Sequence, residues 1–170
     1  MFRSSPLIII ILLSLGVWGS ASDPVLSHPE VLNLFKDCQG KKENLFLVDD
    51  KYNEIKKRGL EPNSKIYKRY VFDCNGKTKR TYVISNKVRT HYQAAFIKIE
   101  KDKIGHYTLL SFNEPREYLP PKTWFKSLTG KLLKKDHISP PIDTISGATL
   151  TKRATDEAVK LAFALDEIFR

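Results

Sequence analysis

The residues with the clearest chemical potential lie in one stretch, Asp143-Thr144-Ile145-Ser146-Gly147-Ala148-Thr149-Leu150-Thr151, a small, hydroxyl-rich loop that runs into the start of a helix. The first turn of a helix leaves backbone N–H groups unpaired and carries partial positive charge, so a phosphate is stabilised there. Gly147 and Ala148 keep bulk away from such a group, while Ser146, Thr149 and Thr151 supply hydroxyls. Lys152 and Arg153 follow, where a cation opposes the helix dipole by about 0.3–1 kcal/mol unless an anion sits beside it. The same residues also have a purely structural reading: Ser146, Thr149 and Thr151 compete to cap the helix and Gly147 serves a tight turn.

Other chemistries find little support. His91, His106 and His137 have no neighbouring nucleophile in sequence, and the chain contains no Gly-x-Ser-x-Gly elbow, His-Glu-x-x-His pair or Walker loop. Hydrolytic and metal chemistry are therefore not expected. A nicotinamide fingerprint of the Gly-x-Gly-x-x-Gly kind is also missing.

The pattern Asp143-x-x-Ser146-Gly147-Ala148-Thr149-x-Thr151 resembles the acceptor motif of FMN-binding domains, such as those of the sodium-translocating NADH:quinone oxidoreductase and the related Rnf complex. Upstream, Phe112-Asn113-Glu114-Pro115-Arg116-Glu117-Tyr118, then Trp124-Phe125 and Gly130, look like the pattern of small exported members of that family. The resemblance covers roughly residues 66–169. It implies FMN joined through its phosphate to the hydroxyl of Thr149, with Thr151 as the fallback acceptor and Asp143 assisting the flavin transferase that installs the cofactor. It places Tyr118, Trp124 and Phe125 near the flavin ring, although aromatics more often fill cores. Glu114 is expected either to hydrogen-bond the ring or ribityl chain or to be an exposed loop carboxylate. Pro115-Arg116-Glu117-Tyr118 stands where the better-known subunits have a Thr-Pro-Gly turn, so their ring contacts do not carry over.

The function that follows is a covalent FMN electron carrier, rather than an enzyme with its own substrate, that exchanges electrons with partner proteins or membrane quinones. Two other readings stand beside it. One is a relative without flavin that acts as a binding or scaffold module of an envelope complex. The other is a small flavin reductase for extracellular metal or haem.

The elements that must position this loop are legible in outline. Ile66–Asp73 and Thr78–Ser85 are rich in Tyr, Val, Ile and Thr, and Asn75-Gly76 between them signals a hairpin, since both residues tolerate positive φ. His91–Glu100 and His106–Phe112 continue the pattern, giving an antiparallel sheet of about four strands. Short helices are expected over His28–Phe35 and Lys51–Arg58, the second stopped by Gly59 as its C-cap, and a third capped by Thr123 and ending at Leu128. Pro115, Pro120 and Pro121 fix an extended path between sheet and loop. The final helix is marked by Ala154, Ala158, Leu161, Ala162 and Leu165 at steps of three and four. The class is α+β, one sheet layer with packed helices.

A chain of 170 residues that is 41% hydrophobic suits one domain. Residues 1–21 read as a secretory signal: Arg3, the apolar run Leu7–Val17, then Gly19-Ser20-Ala21 as a cleavage site, with an uncleaved anchor as the alternative. Residues 22–64 form an N-terminal helical segment and residues 65–170 the FMN-binding domain. The expected location is periplasmic or on the outer face of the cytoplasmic membrane. The formal charge of +10 suits an acidic redox partner or a membrane surface better than nucleic acid, because the lysines are interrupted by acids. Cys38 and Cys74 can pair, closing a loop of about 36 residues; no haem or zinc spacing is present.

Overall fold

Alternating apolar and polar side chains from residue 66 onward build a twisted antiparallel meander in the computed structural model, which describes residues 23–134 and 137–170. The secretory-signal residues lie outside the described part. The meander comprises β2 (Ile66–Cys74), β3 (Lys77–Lys87), β4 (Tyr92–Glu100) and β5 (Lys103–Phe112). Asn75 at φ 55° and Gly76 at φ 76° make the first turn, the conformation their sequence implies.

The sheet is wider than expected, with seven strands in sequence order. β1 (Gln39–Phe46) lies inside the segment expected to be helical and pairs with β2 from Gln39↔Asp73 to Phe46↔Ile66. Its polar sequence reflects an edge position, where exposed Lys41 and Lys42 discourage further pairing. β6 (Leu132–Lys134) and β7 (His137–Ser139) extend the other side, with β6 meeting β5 only at Lys103↔Leu132. Three residues are too few to show a period.

Helices cover both faces. α1 (Pro29–Leu34) packs with the N-terminal segment on one face, where Val31, Phe35, Tyr70, Phe72 and Phe96 form a small core. The disulfide Cys38–Cys74 borders this cluster and joins the start of β1 to the end of β2. On the other face α2 (Asp49–Lys57), α3 (Lys122–Lys126) and α4 (Thr149–Ile168) enclose the main core, built on Tyr82, Ile84, Ile97, Ile104 and Leu165. Gly59, at φ 73°, lies just past the α2 C-cap Arg58. α3 begins one residue before Thr123, with Pro121 as its N-cap, so Thr123 does not cap it. None of the helices is long and apolar enough to cross a membrane among the described residues.

α4 is fastened to the sheet near both ends. At its C-terminal end Asp166, 1% exposed, accepts from Arg80 Nε (2.6 Å), the Tyr82 hydroxyl (2.8 Å) and Arg170 Nη2 (2.9 Å). Burial raises the Asp166 pKa, but these hydrogen bonds outweigh it and hold the carboxyl below its ordinary value. Arg69 adds a bond from Nη1 to the Phe169 carbonyl at 2.6 Å. Nearer the other end, Asn86 Nδ2 donates to the Ala154 carbonyl at 2.7 Å. The N-terminal part of α4 is thereby held beside the end of β3.

Candidate functional site

The loop before α4 is anchored from beneath and open above. Ile142 is buried and Ile145 packs against the main core, while Asp143, Thr144, Ser146 and Gly147 are exposed. The indole N–H of Trp124 donates to the Asp143 carbonyl at 2.9 Å. Lys131, nearly buried, donates its ammonium to the Pro141 carbonyl at 2.9 Å, fixing the proline pair at the start of the loop. A turn closes with Ala148 N–H on the Ile145 carbonyl at 3.0 Å, and Gly147 takes φ +80° within it. That backbone conformation, rather than lack of space, makes glycine the suitable residue: an added Cβ would meet nothing closer than the Glu117 carbonyl at 4.0 Å.

None of the hydroxyl residues caps the helix. The N-cap is Ala148, without a side-chain hydrogen bond, and no acidic residue lies in the first turn. The first helical bond runs from Lys152 N–H to the Ala148 carbonyl at 2.9 Å, leaving the N–H groups of Thr149, Leu150 and Thr151 ahead of it. Of the two basic residues, Arg153 pairs with Glu157 at 3.0 Å.

The two threonines are unlike. Thr149 is exposed and lines a cleft of about 170 Å³. Thr151 lines the same cleft but is fully buried, and its hydroxyl donates to the Tyr118 carbonyl at 2.7 Å.

Tyr118 belongs to a 3₁₀ turn, Arg116–Tyr118, and forms another wall. Arg89, from the β3–β4 hairpin, sits over its ring at 5.5 Å and donates from Nη1 to its hydroxyl at 2.9 Å. Glu114 holds that hairpin. Its Oε1 accepts the consecutive backbone N–H groups of Arg89 (2.8 Å), Thr90 (2.6 Å) and His91 (2.7 Å), and Oε2 accepts the Thr90 hydroxyl at 3.1 Å. Burial pushes the Glu114 carboxyl up, but these bonds dominate and hold it at about 2. The carboxylate is therefore committed to the protein.

The cleft gathers Thr149, Thr151, Gly147, Glu114 and Tyr118 from among the residues expected at the site. Ser146 and Asp143 stay exposed on the adjoining loop, Ala148 is buried as the N-cap, and Trp124 is 6% exposed and supports the loop from the core. Phe125 likewise stacks on Tyr107, with ring centroids 5.5 Å apart. Arg89 and Lys131 were not expected. Neither stands out in sequence: Arg89 acts through Tyr118, 29 residues on, and Lys131 through backbone carbonyls, which carry no side-chain signal.

A family model described as an FMN-binding domain matches residues 90–164, from the β3–β4 hairpin through most of α4. These residues belong to the FMN-binding domain family. The matched segment contains the cleft's Glu114, Tyr118, Gly147, Thr149 and Thr151, whereas Arg89 lies just outside it. No curated protein and no solved structure gives a significant match to the chain.

The FMN-binding domain's own residues fit the cofactor's chemistry. An uncapped helix start suits a phosphate, an exposed threonine stands at its first residue, and an aromatic ring and a guanidinium line the adjoining cleft.

Proposed function

We propose that this protein is an exported flavoprotein that carries FMN through a phosphoester on Thr149 and serves as an electron carrier. The observation that carries the reading is the contrast at the head of α4. Thr149 is an exposed residue at the first helical position, whereas Thr151 is buried and its hydroxyl is spent on the Tyr118 carbonyl. A phosphoryl group on Thr149 would lie beside the unpaired N–H groups of the first turn, where charge and donors favour it.

When bound, FMN supplies the redox chemistry; the protein's residues anchor, orient and partly shield it. At about 170 Å³ the cleft is smaller than the ~300 Å³ or more usual for enclosed ligand sites, so a group the size of FMN is seated with part of its surface open. An open ring suits exchange of electrons with a docking protein or a membrane quinone. Maturation calls for a flavin transferase, for which exposed Asp143 is accessible.

Export rests on the signal-like residues 1–21 and is supported by the Cys38–Cys74 pair, which persists in oxidising compartments. Covalent attachment suits that setting, because a dissociable cofactor would be diluted outside the cell. The test is flavin absorbance of denatured, washed protein after co-expression with a flavin transferase. The wild type and Thr151→Ala retain yellow colour, while Thr149→Ala is colourless. Colour retained in Thr149→Ala would overturn the assignment, and a colourless wild type beside a flavinylated control would favour the scaffold reading.

A further inference from the structure

Beside the Thr149 cleft lies a second hollow of about 400 Å³, lined by Lys87, Tyr92, Arg153 and Leu161 among others. The two adjoin, because Lys87 precedes Val88 and Arg89 of the first cleft and Arg153 lies one helical turn after Thr149. Two large apolar side chains stand exposed beside the cleft, Tyr92 at 50% and Leu150 at 45%. Around them Lys87 and Arg89 are exposed and have no carboxylate partner among the described residues.

The nearby carboxylates are mostly answered. Glu157 pairs with Arg153, Glu61 with Lys56, and Glu114 accepts backbone N–H groups. Glu117 and Asp143 are exposed on the turn and loop across the cleft, so positive charge is concentrated on the Lys87–Arg89 side. Apolar groups beside cations that pair with no carboxylate form a surface suited to a small, transient interface. Charge steers the encounter there, and a limited apolar area lets the complex separate again.

We infer that this face, centred on Lys87, Arg89, Tyr92 and Leu150, is the docking surface for an acidic redox protein that takes electrons from the flavin. The inference rests on the carrier reading and adds the place and chemistry of the partner. A partner seated here would lie beside the cleft proposed to hold the cofactor. Oxidation of a dihydroflavin by a one-electron acceptor would consume two acceptors per flavin, and the two protons lost from the ring would go to solvent.

The experiment uses the flavinylated full chain, chemically reduced, and follows its oxidation by ferricyanide, an anionic one-electron oxidant, and by hexaammineruthenium(III), a cationic one. The wild-type ferricyanide rate should fall about tenfold between low and moderate salt, while the ruthenium rate is flat or rises. Lys87→Glu should lower the low-salt ferricyanide rate about threefold, and Lys87→Glu/Arg89→Glu about tenfold with a flattened salt dependence.

The control is Lys77→Glu/Lys101→Glu. Both lysines are exposed, and Lys77 begins the strand that Lys87 ends, roughly 33 Å away. This variant carries the same net charge as the double variant at the face and should stay within about twofold of wild type. Equal losses in the two charge-reversed pairs would overturn the inference, since overall charge would then explain the rates. A wild type without salt dependence would overturn it as well. A colourless wild type would contradict the carrier reading and this inference with it, which separates the two failures.

Discussion

The Thr151 hydroxyl donates to the Tyr118 carbonyl at 2.7 Å, tying the first turn of α4 to the wall of the cleft in which Thr149 stands exposed. One threonine thus builds the site and the other is left free to react. Thr151→Ala removes a fully buried donor and leaves the Tyr118 carbonyl without it, at a cost of about 1–3 kcal/mol. Thr149→Ala changes an exposed residue and should stay within about 0.5 kcal/mol of wild type. Denaturant unfolding of the unflavinylated proteins checks both values.

The hairpin that presents Arg89 depends on one carboxylate. Glu114→Gln removes the charge that three successive backbone N–H groups share. Amide hydrogen exchange at Arg89, Thr90 and His91 should accelerate at least tenfold, while exchange in β4 beyond the hairpin changes little.

Acid should have the same effect on the wild type. The folded-state pKa of Glu114, at about 2, is below its ordinary value of 4.5, and Asp23, which accepts from Tyr70, Lys42 and the Val25 N–H, is likewise held at about 2. For depressed carboxyls the stabilisation is complete above the ordinary value and is lost as pH falls through the folded value. Stability measured by denaturant should decline from about pH 4.5 down to about pH 2. In Glu114→Gln that decline should be shallower.

At the opposite end of α4, Asp166→Asn breaks a buried cluster with Arg80, Tyr82 and Arg170. The expected loss is about 3 kcal/mol, because Arg80 is left facing a neutral partner. Flavin attachment should survive, since the N-terminal part of α4 is held separately through Thr151 and by the Asn86 bond to the Ala154 carbonyl. Thermal unfolding and flavin absorbance of the same sample read the two effects apart.

The disulfide closes a loop with a sequence separation of 36 residues and lies on the α1 face, away from the cleft. Cys38→Ala/Cys74→Ala should lower stability by about 4 kcal/mol in the chain-entropy picture and leave the flavin spectrum unchanged.

What the sequence revealed follows from the range of the forces involved. Local signals located β2 to β5, the Asn75-Gly76 turn and α4, because side-chain period and turn chemistry act over a few residues. β1 was hidden because an edge strand carrying Lys41, Lys42 and Glu43 has no apolar alternation. At the site, the reason for Gly147 and the exposure of Thr149 belong to one short loop. The commitment of Glu114 to a hairpin some 23 to 25 residues away does not, nor does the Trp124 bond across 19 residues to Asp143. Such pairings are products of the assembled sheet. For Trp124 and Phe125 the sequence favoured core over flavin wall without excluding either, and packing places both in the core.

The most direct test of the central claim is intact mass of the mature protein co-expressed with a flavin transferase, followed by fragmentation of the peptide spanning Asp143 to Arg153. The account predicts a gain of one FMN less one water, carried by Thr149. The same gain on Thr151, or an unmodified peptide where a control substrate is flavinylated, would contradict it.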